Sequence, residues 1–264
     1  MAKGNIFRKI CALSENNKKA ISVYLTCGYP SIEVTERLIY FLSELGADLI
    51  ELGLPFSDPI ADGPTIQYSS AEALKQKVNI HHLLSMTQRV KKRLCVPIIL
   101  LSYLNPIYRM IKSYSYRQLY TFDGIIIPDL IVEEDSILPQ DLKENVDIIY
   151  LVSPTTTEER IKRILSKTEG FAYVVSVMGV TGARHTLPSY LTSFLRKVKK
   201  LSISKPILLG FGISQPQQVV PYIKYIDGII IGSAIIDIIR RSRSEKEMFS
   251  NIKSLVEKFT SLLH

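Results

Sequence analysis

The sequence predicts an α/β chain folded as a single (β/α)8 TIM barrel over residues 1–264 with an extra N-terminal helix, and three observations support that fold class. Eight short β-branched runs recur along the chain: 20–26, 47–52, 96–102, 123–128, 147–153, 171–177, 205–210 and 227–232. Most are continuously apolar rather than alternating, the pattern of parallel strands covered on both faces. Helix-length segments with recognisable starts and stops separate them. The length of 264 residues is close to the roughly 250 of such barrels. A doubly wound open sheet is the rival, but it rarely runs to eight such regular units. No linker, low-complexity stretch or composition break divides the chain.

Taken in order, "MAKGNIFRKICALSENNKK" reads as an amphipathic first helix and lacks an apolar signal core and a small-residue cleavage site. After the first strand, "PSIEVTERLIYFLSELGAD" is a helix. Ser31 caps it, Glu33 favours its first turn, Val34, Leu38, Phe41, Leu42 and Leu45 make one apolar face, and Gly46 ends it. Thr156 and Glu159 have capping-box spacing ahead of Ile161, Ile164 and Leu165. Pro221, after "GFGIS", should kink or shorten the helix there. Residues 177–188 make a loop longer than the usual strand-to-helix connection, a length typical of lids.

Composition narrows the function. The hydrophobic and charged fractions, 46% and 22%, are those of an ordinary soluble globule. Asp227 and Asp237 interrupt even the richest apolar stretch before the roughly 18 residues a membrane span needs, so a cytoplasmic protein is expected. Cys11, Cys27 and Cys95 are odd in number and far apart, which argues against a disulfide framework. His81, His82, His185 and His264 have no metal-ligand spacing. The net charge of +8 raises nucleic-acid binding. Against it, the clusters at 89–93, 196–200 and 240–243 fall near helix C-termini, where cations oppose the dipole, and no aromatics interleave them.

In a barrel, the loops after the strands' C-terminal ends build the site. Glu51 falls at the end of the second strand among Ile50, Leu52 and Leu54. Partial desolvation there would raise its pKa and let it give and take a proton near neutrality. The alternative is a glutamate turned outward to cap a helix or pair with a lysine. Asp58 and Asp62 follow in a loop stiffened by Pro55, Pro59 and Pro64, which positions a carboxylate at less entropic cost, although Asp-Gly-Pro is also plain turn chemistry. "GVTGA" (179–183), "GFGIS" (210–214) and "IGSA" (231–234) follow the last three strands. Backbone N–H groups there, beside a helix N-terminus, suit a phosphate, and the alternative is three tight turns that need glycine.

These residues resemble one family nearly from end to end, the alpha subunit of tryptophan synthase. "ELGLPFSDPIADGPTIQ" is highly specific to it, and "GVTG", "GFGIS" and "GSAI" occur in its order and spacing. The resemblance implies a lyase of tryptophan biosynthesis that splits indole-3-glycerol phosphate into indole and glyceraldehyde 3-phosphate. It implies no cofactor in this chain, and a pyridoxal-phosphate-dependent beta subunit as partner in an α2β2 complex that channels the indole. Carried over by residue, Glu51 is the general acid/base and Asp62 the carboxylate at the indole N–H, with Tyr173 near the glycerol moiety. Gly182, Gly212, Gly232 and Ser233 hold the phosphate. Ile66, Leu101, Tyr103, Ile126 and Phe211 line the indole pocket, Thr181 is the lid threonine, and Pro55 and Asp58 lie near the partner contact. Ile131 stands where the family more often has proline, and Cys27 replaces a common small residue. The rival within enzymes is a barrel isomerase or aldolase, although no strand ends in a Schiff-base lysine. The rival outside them is a catalytically silent subunit that binds a phosphorylated ligand and activates a partner.

Overall fold

Strands β1 (Ala20–Thr26), β2 (Leu49–Gly53), β3 (Ile98–Leu101), β4 (Gly124–Ile126), β5 (Asp147–Ile149), β6 (Leu151–Val152), β7 (Ala172–Val175), β8 (Ile207–Gly210) and β9 (Gly228–Ile231) form one parallel sheet in a computed structural model. It describes residues 4–176, 189–210 and 212–264. The strand order is β5-β4-β3-β2-β1-β9-β8-β7-β6, so the two ends of the sheet, β5 and β6, are separated in the chain by Tyr150 alone. The sheet therefore wraps into a barrel of eight staves, the fifth divided at Tyr150. The single run expected over 147–153 divides because the Tyr150 N–H donates to Thr168 Oγ1 (3.0 Å) while its carbonyl accepts from the Tyr173 N–H (3.2 Å). Pairing thus passes from β4 on one side to β7 on the other.

The helices are α1 (Asn5–Glu15), α2 (Ile32–Glu44), α3 (Pro64–Lys75), α4 (Ile80–Lys91), α5 (Leu104–Lys112), α6 (Gln140–Asn145), α7 (Glu158–Lys167), α8 (Leu191–Leu201), α9 (Ser233–Arg241) and α10 (Glu245–Leu263). Ser31 caps α2 by accepting from the Val34 N–H at 3.2 Å, and Gly46 follows at φ +93°, a conformation glycine adopts without strain. The buried face of α2 is centred on Thr35, Leu38, Ile39 and Leu42. Val34, Phe41 and Leu45 sit at its half-buried margin, where Phe41 meets Phe249 of α10 edge-on at 4.8 Å. At α7 the cap is Thr157, which accepts from the Arg160 N–H, while the Thr156 hydroxyl accepts from the Ser153 N–H in the preceding turn. Two 3-10 turns, Pro216–Gln218 and Val220–Tyr225, stand after β8, as Pro221 predicts.

The expected basic clusters occupy the last turns of α4, α8 and α9. Several of their cations have specific partners: Arg89 forks onto Glu36, Lys91 reaches Asp123 at 2.8 Å, Lys199 reaches Asp227 at 2.9 Å, and the Arg240 guanidinium lies 4.2 Å over the Tyr68 ring. No helix among the described residues is long and apolar enough to cross a membrane.

The core has two shells. One lies between sheet and helices, and the other fills the barrel with Ala20, Leu49, Ile99, Ile126, Ile149, Phe171, Leu208 and Ile230 together with Ile6 and Ile10 of α1. Helix α1 closes the N-terminal end of the barrel. The Gly4 N–H donates to Asp147 Oδ1 (3.1 Å) and Asn5 Nδ2 to Asp123 Oδ1 (2.9 Å), and a Cβ on Gly124 would stand 2.7 Å from Ile6 Cδ1. With that end packed solid, space for a ligand is left at the C-terminal mouth. Ile10, 1% exposed, is part of this plug with Ile6. Ile10→Ala is expected to cost about 2–5 kcal/mol in urea unfolding, and a loss below about 1 kcal/mol would show that α1 is not part of the barrel core.

Candidate active site

At the barrel mouth, one cavity is lined by Tyr24, Glu51, Ala61, Asp62, Ile66, Leu101, Ile126, Pro128, Leu151, Tyr173, Gly212, Ile213, Ile230, Gly232 and Ser233. Parallel pairing sets its walls: Tyr24 of β1 pairs with Glu51 of β2, and Leu151 of β6 with Tyr173 of β7. Side chains alternate along each strand, so every second residue points inward. The two tyrosines are wide, and each lies over a glycine at the end of the next strand. A Cβ on Gly53 would run into the Tyr24 ring, and one on Gly210 would stand 2.6 Å from Tyr173 Cε1. Gly53 and Gly210 thus make room for the aromatic rings that floor the cavity.

Glu51 is 1% exposed and turned inward, which removes the reading of an outward helix cap. Its Oε1 accepts from Ser22 Oγ at 2.7 Å, and its Oε2 is buried with no hydrogen-bond partner among the described residues. Burial pushes its pKa up to about 7, the Ser22 hydrogen bond opposing the rise. Asp62 is half-buried on the loop from β2 to α3. Its N–H donates to the Pro59 carbonyl (3.0 Å), its carbonyl accepts from Gln67 Nε2 (2.8 Å), and Pro64 starts α3 two residues on. The loop is held at both sides of the carboxylate. Burial pushes the Asp62 carboxyl up to about 6, against the Tyr103 hydroxyl that donates to Oδ2 at 2.9 Å.

The other expected residues divide by place. Ile66, Leu101, Ile126, Tyr173, Gly212, Gly232 and Ser233 all line the cavity. Gly232 precedes α9 and Ser233 opens it, and no side chain caps that end, so first-turn N–H groups are left for an anion. Tyr103 stands one step behind the cavity wall. It is 2% exposed, stacked on Phe56 at 5.3 Å, and its hydroxyl both donates to Asp62 and accepts from the Ala61 N–H (3.0 Å). Pro55 is buried and Asp58 exposed, both on a surface groove apart from the cavity. Thr181, Gly182 and Phe211 lie outside the described residues, as does the loop 177–188. Sequence reasoning missed Ser22 and Tyr24. The period of two from Ala20 puts both on the inward face of β1, and that was the available signal. Tyr24 also anchors α3, since its hydroxyl meets Thr26 Oγ1 (3.2 Å), which meets Ser69 Oγ (2.6 Å).

Such a cavity presents two carboxyl groups raised toward neutrality, apolar walls and an uncapped helix N-terminus. No group of residues suited to a metal ion occurs among the described residues.

The sequence profile of the family described as tryptophan synthase alpha chain matches residues 10–264. A tryptophan synthase alpha chain of Dehalococcoides mccartyi is 42% identical, over 90% of this chain and 94% of that protein. The crystal structure of tryptophan synthase subunit alpha from Legionella pneumophila superposes with a TM-score of 0.80 at 31% identity, covering 98% of each chain. Tryptophan synthase from M. tuberculosis, in its aminoacrylate-bound form, superposes with a TM-score of 0.83 at 25% identity over 98% of this chain and 99% of that one.

Carboxyl carbon NMR should find Glu51 titrating near 7 and Asp62 near 6. Tyr103→Phe removes a donor that favours the Asp62 anion, so it should raise the Asp62 value and leave Glu51 in place. Movement of both carboxyls together would show that Tyr103 acts on the whole site instead.

Proposed function

This chain belongs to the tryptophan synthase alpha chain family, and on that premise we propose that Glu51 and Asp62 carry out its reaction, the cleavage of indole-3-glycerol phosphate to indole and glyceraldehyde 3-phosphate. The observation that carries the residue assignment is the buried Glu51 carboxyl, one oxygen unpartnered, in the same cavity as Asp62 and the open N-terminus of α9.

A carbon–carbon bond breaks toward an aromatic ring when the ring carbon gains a proton and the charge developing on the ring nitrogen meets an anion. Glu51, with its pKa near 7, is protonated in a large fraction of molecules at neutral pH and gives that proton to the ring carbon bearing the side chain. Asp62, with a value near 6, is mostly ionised there and accepts the ring N–H, stabilising the cationic tautomer. The Glu51 carboxylate then takes the proton of the adjacent glycerol hydroxyl. That carbon becomes the aldehyde, the carbon–carbon electron pair returns to the ring, and indole leaves with Glu51 protonated again. Ile66, Leu101 and Ile126 flank the ring, Tyr173 lies at the glycerol, and Gly212, Gly232 and Ser233 donate to the phosphate. Thr181, Gly182 and Phe211 belong to the same proposal by the family resemblance.

The whole chain, residues 1–264, serves the reaction as one domain in the cytoplasm. Its partner is a pyridoxal-phosphate-dependent beta subunit in an α2β2 complex. A groove lined by Pro55, Phe56, Asp58, Asn105, Pro106 and Arg109, with the exposed Ile60 nearby on the same loop, supports docking beside the barrel mouth. Ile131, 44% exposed at the start of the 3-10 turn Val132–Ile137, leaves an apolar side chain at the surface where the family more often has proline.

Indole release from indole-3-glycerol phosphate, with and without a beta subunit and serine, tests the proposal. Product in both arms, more of it with the partner, is expected. Activation of the partner with no cleavage would identify a silent ligand-binding subunit. Glu51→Gln should keep the fold and glycerol-phosphate binding but lower turnover by about 100- to 10,000-fold, and near-normal turnover would remove Glu51 from the role.

A further inference from the structure

We propose that Ser22 is a positioning residue that holds one oxygen of the Glu51 carboxyl, so that the other oxygen makes both proton transfers of the cleavage. The inference rests on the reaction assigned above. Ser22 is fully buried in the middle of β1, a run otherwise made of apolar or aromatic residues until Thr26. Its Cα pairs with Leu49, so its side chain and that of Glu51 lean toward each other diagonally across neighbouring strands. The Oγ donates to Glu51 Oε1 at 2.7 Å, and Oε2 has no partner among the described residues.

Oε1 is an acceptor in both protonation states, provided the proton sits on Oε2. One hydroxyl can therefore hold the group throughout the cycle. In the acid form Oε1 is the carbonyl oxygen and Oε2–H gives its proton to the ring carbon. In the anion Oε1 still accepts from Ser22, and Oε2 takes the glycerol hydroxyl proton as the carbon–carbon bond breaks. A lysine or arginine at this position would favour the anion too strongly for the first step, and an apolar side chain would leave the carboxyl free to turn. The titratable groups facing Glu51 are Tyr24 from β1, Tyr173 from β7 and Asp62 from the loop after β2. Burial drives both tyrosine hydroxyls well above their ordinary range, so neither supplies a charge near neutrality. Asp62 is already held by Tyr103. Ser22 is thus the uncharged donor that fixes which oxygen reacts.

Ser22→Ala and Ser22→Cys in the full chain test this, the thiol keeping most of the volume with a weak donor. Both variants should lose about 10-fold in kcat for indole release, with KM unchanged within about twofold, and the Glu51 carboxyl should titrate about one pH unit above the wild-type value. A wild-type kcat and Glu51 titration in both, with wild-type chain active, would overturn the role of Ser22 and leave the reaction standing. So would a Ser22→Ala that loses turnover while its Glu51 carboxyl titrates at the wild-type value, because packing alone would then explain the loss. Wild-type chain that releases no indole with or without a beta subunit would overturn the reaction itself, and this proposal with it.

Discussion

The structure depends on a single carboxyl group held out of water. Glu51 lies near the end of β2 with an apolar barrel beneath it, two tyrosine rings beside it and one hydroxyl as a partner. Several otherwise separate features serve that arrangement. Helix α1 packs Ile6 and Ile10 into the N-terminal end, so that water is kept from below. Gly53 and Gly210 give up side chains where the Tyr24 and Tyr173 rings need the space. A side chain at either glycine would meet the ring beside it.

This placement has a cost to the fold. The group titrates near 7 in the folded chain against an ordinary 4.5, so folding disfavours its ionised form. The stability it contributes is fully present below the unfolded value and is lost as pH rises through the folded one, roughly 3 kcal/mol in all. Burial of the interior residues offsets that loss, and the chain keeps a carboxyl that exchanges protons at neutrality. Asp62 differs in degree. It sits closer to solvent, on a loop fixed by Pro59 and Pro64, and the Tyr103 hydroxyl favours its anion. Burial nonetheless raises the two by similar amounts, Glu51 from 4.5 to about 7 and Asp62 from 3.8 to about 6, so most of the separation between them is the ordinary difference between a glutamate and an aspartate.

Much of this could be read in the amino-acid sequence, for definite reasons. Parallel strands buried on both faces leave long apolar runs, which made the strands visible, and a charge such as Glu51 stands out against them. Prolines around Asp62 mark a held loop whatever the fold. The same uniform burial hid Ser22 and Tyr24. Every residue of β1 is buried, so burial does not tell its faces apart, and only the alternation of Ser22, Tyr24 and Thr26 with Ile21, Val23 and Leu25 marks the inward one. The resemblance places Tyr103 in the pocket wall, but its hydroxyl bond to Asp62 depends on a contact 41 residues distant in the chain. The cap of α7 moved by one residue because Thr156 and Thr157 are equivalent as letters, and the turn at Ser153 claims the first.

The pH dependence of kcat/KM for indole release by the wild-type chain shows whether one carboxyl must be protonated and the other ionised. A narrow bell is expected, its acid limb set by Asp62 near 6 and its alkaline limb by Glu51 near 7. A profile flat from pH 5 to 9, or one limb alone near the ordinary carboxylate range, would contradict it.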